Sequence, residues 1–115
     1  MLINPHHYYV YLLTNTTKRT LYTGVTNDLP RRIVEHYLKR GNNASFTGKY
    51  YCYWLIFYEE FKYINHAIAR EKEIKGWTRQ KKEQLISSFN FNWTFLNKEV
   101  CGEWPPSKDM IPRSP

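Results

Sequence analysis

Eight consecutive apolar and aromatic residues, Tyr51 to Tyr58, constrain this chain more than any other stretch. A run without polar alternation cannot be a strand with one wet face. It suits the central strand of a sheet covered on both sides, and periodicity alone does not separate it from a short buried helix. The rest of the chain supplies the cover. Tyr8-Tyr9-Val10-Tyr11-Leu12-Leu13 and Thr20-Leu21-Tyr22-Thr23, joined by the turn-forming Asn15-Thr16-Thr17-Lys18, predict a β-hairpin ended by Gly24. Asp28 is the natural cap of a helix with Pro30 in its first turn, running to about Arg40 and stopped by Gly41. Residues 41–50, small and polar around one Phe, read as a mobile loop. Asn65 can cap a helix through Lys75, and Thr78 another from Arg79 to about Phe89. The order is β-β-α-β-α-α, an α/β fold with a small, mainly antiparallel three-stranded sheet flanked by helices.

In 115 residues there is room for one domain. Residues 1–96 are expected to form it, and 97–115, with four Pro after Cys101, to form a flexible tail. The formal net charge is +7, and it is unevenly placed: residues 31–86 hold twelve basic and six acidic side chains, a local excess of +6. Such an excess favours polyanionic partners, although a solvated helical surface would look the same. Cys52 and Cys101 show neither zinc spacing nor a disulfide framework. With no long apolar span and no charged-then-apolar leader in MLINPHHYY, a soluble cytoplasmic protein is expected.

Two helical positions suggest chemistry. Arg32 and His36, four residues apart, share one edge of the first helix's apolar stripe. In the helix 65–75, Glu71 falls about 40° from Ala67, inside the apolar arc, while Glu73 points away. A carboxylate facing a core must be paired or coordinating. Its partner could be Arg32, or a divalent cation completed by waters and phosphate oxygens. Ten Tyr in so short a chain are mostly core, so neither Tyr11 nor Tyr22 is diagnostic alone.

Taken together, Tyr9-Val10-Tyr11, Tyr22-Thr23-Gly24, Asn27-Asp28-Leu29-Pro30-Arg31-Arg32 with Glu35-His36, and Ala69 to Trp77 resemble the GIY-YIG nuclease superfamily. Within it they are similar to the small stand-alone bacterial branch related to the nuclease domain of the excision-repair C subunit. The resemblance spans roughly residues 7 to 95 and departs from the repair-type pattern at Val25, a lysine in those relatives, and at Tyr9, a glycine in the motif. It implies a Mg²⁺- or Mn²⁺-dependent DNA endonuclease. Tyr11, Tyr22 and Arg32 would be catalytic, Glu71 the metal ligand, and Asn90 (or Asn92) the family's late asparagine. Arg32 would balance transition-state charge, and Tyr22, a phenol of reference pKa about 10, could act as base if cations lowered it. His36 offers an alternative proton acceptor with an ordinary pKa near neutrality. Lys39, Arg40, Lys49, Arg79, Lys81 and Lys82 are candidates for backbone-phosphate contacts. DNA, branched or single-stranded, is the expected partner, with a protein partner for targeting also compatible. A non-catalytic nucleic-acid-binding module on the same fold is the rival reading, and a protein-interaction domain a third.

Overall fold

A computed structural model describes residues 7–107. The elements in order are β1 (Tyr8–Thr14), β2 (Leu21–Thr26), α1 (Leu29–Leu38), α2 (Phe46–Lys49), β3 (Trp54–Phe61), α3 (Ile64–Lys75), α4 (Arg79–Phe89) and α5 (Asn97–Cys101). They form a three-stranded antiparallel sheet with helices on both faces. The expected order is kept, with α2 and α5 added.

The hairpin closes on Asn15, whose side-chain oxygen accepts from the backbone N–H of Arg19 (2.9 Å) and Thr20 (3.2 Å). Asp28 caps α1 through the Arg31 N–H, and Thr78 caps α4 through the Lys81 N–H, as their side-chain chemistry predicts. Helix α3 differs: it starts at Ile64, capped by Tyr63 with no side-chain bond, so Asn65 sits in its first turn.

The strand order is β2-β1-β3, so the apolar run belongs to an edge strand and the central strand is β1. The run also starts early: Tyr51 takes φ 56°, a left-handed conformation that no strand uses, and β3 begins at Trp54. Continuous apolarity is still explained, because both faces and the free edge of β3 are covered. Leu96 N–H donates to the Leu55 carbonyl (2.8 Å), Leu55 N–H donates to Asn97 Oδ1 (2.7 Å), and Asn97 Nδ2 donates to the Tyr53 carbonyl (2.8 Å). A β-bulge leaves Ile56 without a counterpart on β1, and its carbonyl accepts from Asn90 Nδ2 at 3.0 Å. An edge strand dressed in this way offers few open groups to another chain.

These bonds overturn the expected boundary at residue 97. Asn97 is buried, α5 packs beside α1, and the Trp104 ring lies against Tyr37 (5.1 Å between centroids), Tyr53 and Trp54. Proline content alone misjudged the segment, since aromatic contacts and one buried amide order it through Trp104. The rest of the expected tail, residues 108–115, lies outside the described residues.

The two faces of the sheet carry different cores. Val10, Leu12, Ile56 and Phe57 pack against Ala67 and Ile74 of α3 and Ile86 of α4. Tyr11, Leu13 and Leu55 pack against Leu29 and Ile33 of α1. Alternate residues of β1 thus point to opposite layers, and its odd positions put Tyr11 under α1.

Candidate active site

Tyr11 lies opposite Gly24 in the β1–β2 register, with Tyr22 two residues away on the same face of β2. A Cβ on Gly24 would overlap the Tyr11 ring and hydroxyl, so the Tyr22-Thr23-Gly24 triplet places one phenol and leaves room for the other. The two rings are 6.4 Å apart between centroids. From α1, His36 enters between them, 5.9 Å from Tyr11 and 5.5 Å from Tyr22, ring to ring. Its Nε2 is 2.9 Å from the Tyr11 hydroxyl and its Nδ1 is 3.0 Å from the Thr47 hydroxyl.

One turn back on α1, Arg32 lies close enough to act on Tyr11's charge, with Nη1 3.4 Å from Glu35 Oε1. Glu71, from α3, also acts on Tyr11 across the β1–β2 layer. Its side chain is 15% exposed against 54% for Glu73, so the helical spacing did place it facing inward. Its ion-pair partner is Lys75 (3.4 Å), one turn on, and not Arg32. Tyr11, Tyr22, His36 and Arg32 are therefore brought together from β1, β2 and α1, with Glu71 of α3 near enough to act on Tyr11's charge.

Burial sets the protonation states. It pushes the Tyr11 phenol well above its ordinary value, with the neighbouring Tyr22 adding and Arg32 only partly opposing. Burial also lowers His36 to about 3, and the Arg32 and Lys39 cations push the same way. His36 is thus neutral at physiological pH with both ring nitrogens engaged, which corrects the expectation of an acceptor tuned near neutrality. Desolvation, invisible in the sequence, decided this. Arg32 pays some desolvation too, but Tyr11 and Glu35 more than offset it and hold its charge firmly.

The expected mobile loop is ordered and contributes to the site. Ser45 caps α2 by accepting from the Gly48 N–H (3.1 Å), the Thr47 carbonyl accepts from the Cys52 N–H (2.9 Å), and the Gly48 carbonyl accepts from the Gly41 N–H (2.8 Å). Any side chain at Gly48 would run into the Asn42 and Lys39 carbonyls. This fixed turn buries Thr47 against His36 and stacks Phe46 on Tyr22 (6.1 Å, 28° between planes). Phe46 and Tyr50 (4.9 Å apart) stay exposed beside Tyr22. Neither Thr47 nor Phe46 was picked out from the sequence, where the one signal was a Phe-Thr pair isolated among loop formers.

The six candidate phosphate-contacting cations divide. Lys39, near enough to act on His36, and Arg40 follow α1, and Lys49 ends α2; Arg40 lies over the Tyr37 ring at 3.8 Å. Arg79, Lys81 and Lys82 are on α4. Arg79 is spent on the fold: its guanidinium donates to the carbonyls of Arg19 (2.6 Å) and Lys18 (3.0 Å) and to Glu83 (2.9 Å), tying α4 to the hairpin turn. Lys81 stands over Trp77 at 4.4 Å. Asn90 is likewise committed to backbone, donating to Ile56 and Thr94 carbonyls and accepting from the Thr94 N–H, while Asn92 is exposed. Neither asparagine is brought to the tyrosine pair by these bonds.

Comparison with known proteins bears on this constellation. The GIY-YIG catalytic domain family matches residues 7–84. The chain belongs to the GIY-YIG family. That match takes in Tyr11, Tyr22, Arg32, His36 and Glu71, and it makes this a nuclease-type domain. A UPF0213 protein of Haloquadratum walsbyi is 40% identical over 83 residues, covering 72% of this chain and 89% of the relative. UPF0213 proteins of Clostridium perfringens (38% identical; 80% and 96% covered) and Bacillus pumilus (35%; 88% and 95%) are also similar. Among solved structures, the solution NMR structure of a UPF0213 protein from Bacillus halodurans is 36% identical, covering 70% of this chain and 83% of that one, with a TM-score of 0.45.

Proposed function

We propose that this chain is a divalent-metal-dependent endonuclease that hydrolyses phosphodiester bonds in DNA. The observation that supports the reading is the packing of Tyr11, Tyr22 and Arg32 from three elements, with the inward Glu71 of α3 acting on Tyr11, all within the stretch that matches the family.

Among the described residues no group of three or more His, Cys, Asp or Glu could hold a metal. A closed zinc-type site is therefore not the fit. A lone, mostly shielded carboxylate whose protein partner is the half-exposed Lys75 does fit Mg²⁺ or Mn²⁺, which take one or two carboxylates and fill the rest with water and phosphate oxygens. When bound by Glu71, such an ion supplies charge neutralisation at phosphorus and help for the leaving oxygen. Arg32, permanently charged and one-third exposed, can reach a phosphate and balance its transition-state charge. Tyr22, half-buried at the rim, is placed to orient or deprotonate the attacking water, and Tyr11 to position. Phe46 and Tyr50, beside Tyr22, offer faces on which a base can stack, and Lys49, 5.3 Å from the Tyr50 ring, can contact the backbone there. The cytoplasm is the proposed place of action, consistent with two free thiols.

The test incubates wild type and Glu71→Ala with duplex, nicked, branched and single-stranded DNA, with and without Mg²⁺ or Mn²⁺. Metal-dependent cutting by wild type alone supports the proposal. Salt-sensitive binding without cutting in any condition replaces it with a binding module, and no binding at all points to a protein-interaction domain.

A further inference from the structure

His36 is the middle of a buried chain of three hydrogen-bonding groups, Tyr11, His36 and Thr47, linked at 2.9 and 3.0 Å. The imidazole is neutral, so one nitrogen donates and the other accepts. Three protons, one on each group, then share two hydrogen bonds. One terminal hydroxyl must direct its proton outside the chain.

The two ends differ in what surrounds them. Among the described residues the Thr47 hydroxyl has no hydrogen-bond partner but His36, and residues of its own turn already use the Thr47 and Gly48 carbonyls. A proton left there would be buried and unpaired, which is costly. The Tyr11 hydroxyl is buried too, but it is not isolated: the Arg32 guanidinium hydrogen-bonds to it and Tyr22 is its ring neighbour, so its free proton points to the side on which a phosphate held by Arg32 would lie.

We propose that Thr47 is a positioning residue that donates to His36 Nδ1, fixing the Nε2–H tautomer, so that His36 donates to Tyr11 and the Tyr11 hydroxyl is held as a hydrogen-bond donor to the reacting phosphate. The ordered 45–52 turn is what makes this possible, since Ser45 and Gly48 lock Thr47 in place. Tyr11 is thereby excluded as the base, and that role falls to Tyr22. The functional half of the inference rests on the nuclease reading; the hydrogen-bond direction does not.

The experiment reads the His36 ring nitrogens by NMR in the full, ¹⁵N-histidine-labelled, metal-free chain at neutral pH, with the signals assigned by their loss in His36→Gln. Wild type is expected to show a protonated Nε2 and a bare Nδ1; an Nδ1–H tautomer, an even mixture or an imidazolium overturns the proposal. In Thr47→Val, the same shape without the hydroxyl, the bias toward Nε2–H should be lost and kcat for DNA cleavage should fall about tenfold or more with KM little changed. Thr47→Ser, which keeps the hydroxyl, should restore both. A Thr47→Val protein matching wild type in tautomer and kcat also overturns it. Should that variant not fold, the wild-type tautomer decides; should wild type cut no DNA, the nuclease reading falls and the ring nitrogens still decide the direction.

Discussion

The two layers of this protein divide the work unevenly. Beneath α3 and α4 the sheet is covered by an apolar cluster, Val10, Leu12, Ile56, Phe57, Ala67, Ile74 and Ile86, and Thr14, buried on the same face of β1, donates its hydroxyl to the Thr20 carbonyl. Beneath α1 and α2 the same sheet buries a phenol, an imidazole and a threonine hydroxyl in one connected chain. The comparison teaches that the site occupies half of a core and can be desolvated because the other half supplies ordinary packing. Buried polar chemistry of this kind is tolerated only when its members satisfy one another.

Four measurements can break or sharpen that division. The largest stability loss is expected in the layer under α3 and α4: Ile86→Ala should destabilise by about 2–5 kcal/mol in urea unfolding, while the folded fraction, assayed at low temperature, cuts with near wild-type kcat. A large kcat defect would show that the layers are not separable. Arg32→Ala should do the opposite, lowering kcat/KM about 10²- to 10³-fold with little change in the unfolding midpoint; an unchanged rate would remove Arg32 from the site. Asn97→Ala removes the acceptor for the Leu55 N–H and a donor to the Tyr53 carbonyl, and is expected to cost about 2 kcal/mol, read by thermal melting.

The effect that is smallest near neutral pH is pH dependence. His36 is lowered to about 3 in the fold from an ordinary 6.5, so below pH 6.5 the unfolded chain binds the extra proton and the folded one does not. Stability from this group is complete above pH 6.5 and declines toward pH 3, by about 1.4 kcal/mol per pH unit. Between pH 7 and 5, His36→Gln should show a shallower loss than wild type in parallel urea titrations. Equal slopes would mean that His36 is not the buried neutral group described above.

How much of this was legible beforehand depended on whether the signal was local. Asp28 and Thr78 announce their helices because a cap acts within one turn, and Glu71 is found inward because helical spacing is a local property. The hairpin and the antiparallel sheet follow from the same kind of reading. Which strand is central was not readable: β1 and β3 are both apolar, and the free edge of β3 is closed by Leu96 and Asn97, some forty residues away. Proline counting concealed that closure. The role of Thr47 was equally hidden, because its partner His36 lies on another element and the turn between them looks like loop composition. The His36 pKa depends on burial and on Arg32 and Lys39 together, which only a folded neighbourhood brings into play.

The closure of β3 has one more consequence. The family match ends at residue 84, yet the groups that satisfy the Tyr53, Leu55 and Ile56 backbone come from Asn90, Leu96 and Asn97. A chain cut at the family limit would keep all five candidate site residues and expose a bare, apolar strand edge, an invitation to pair with its own copies. In this protein the shortest piece that holds the candidate site and the shortest piece that covers the edge of β3 have different lengths.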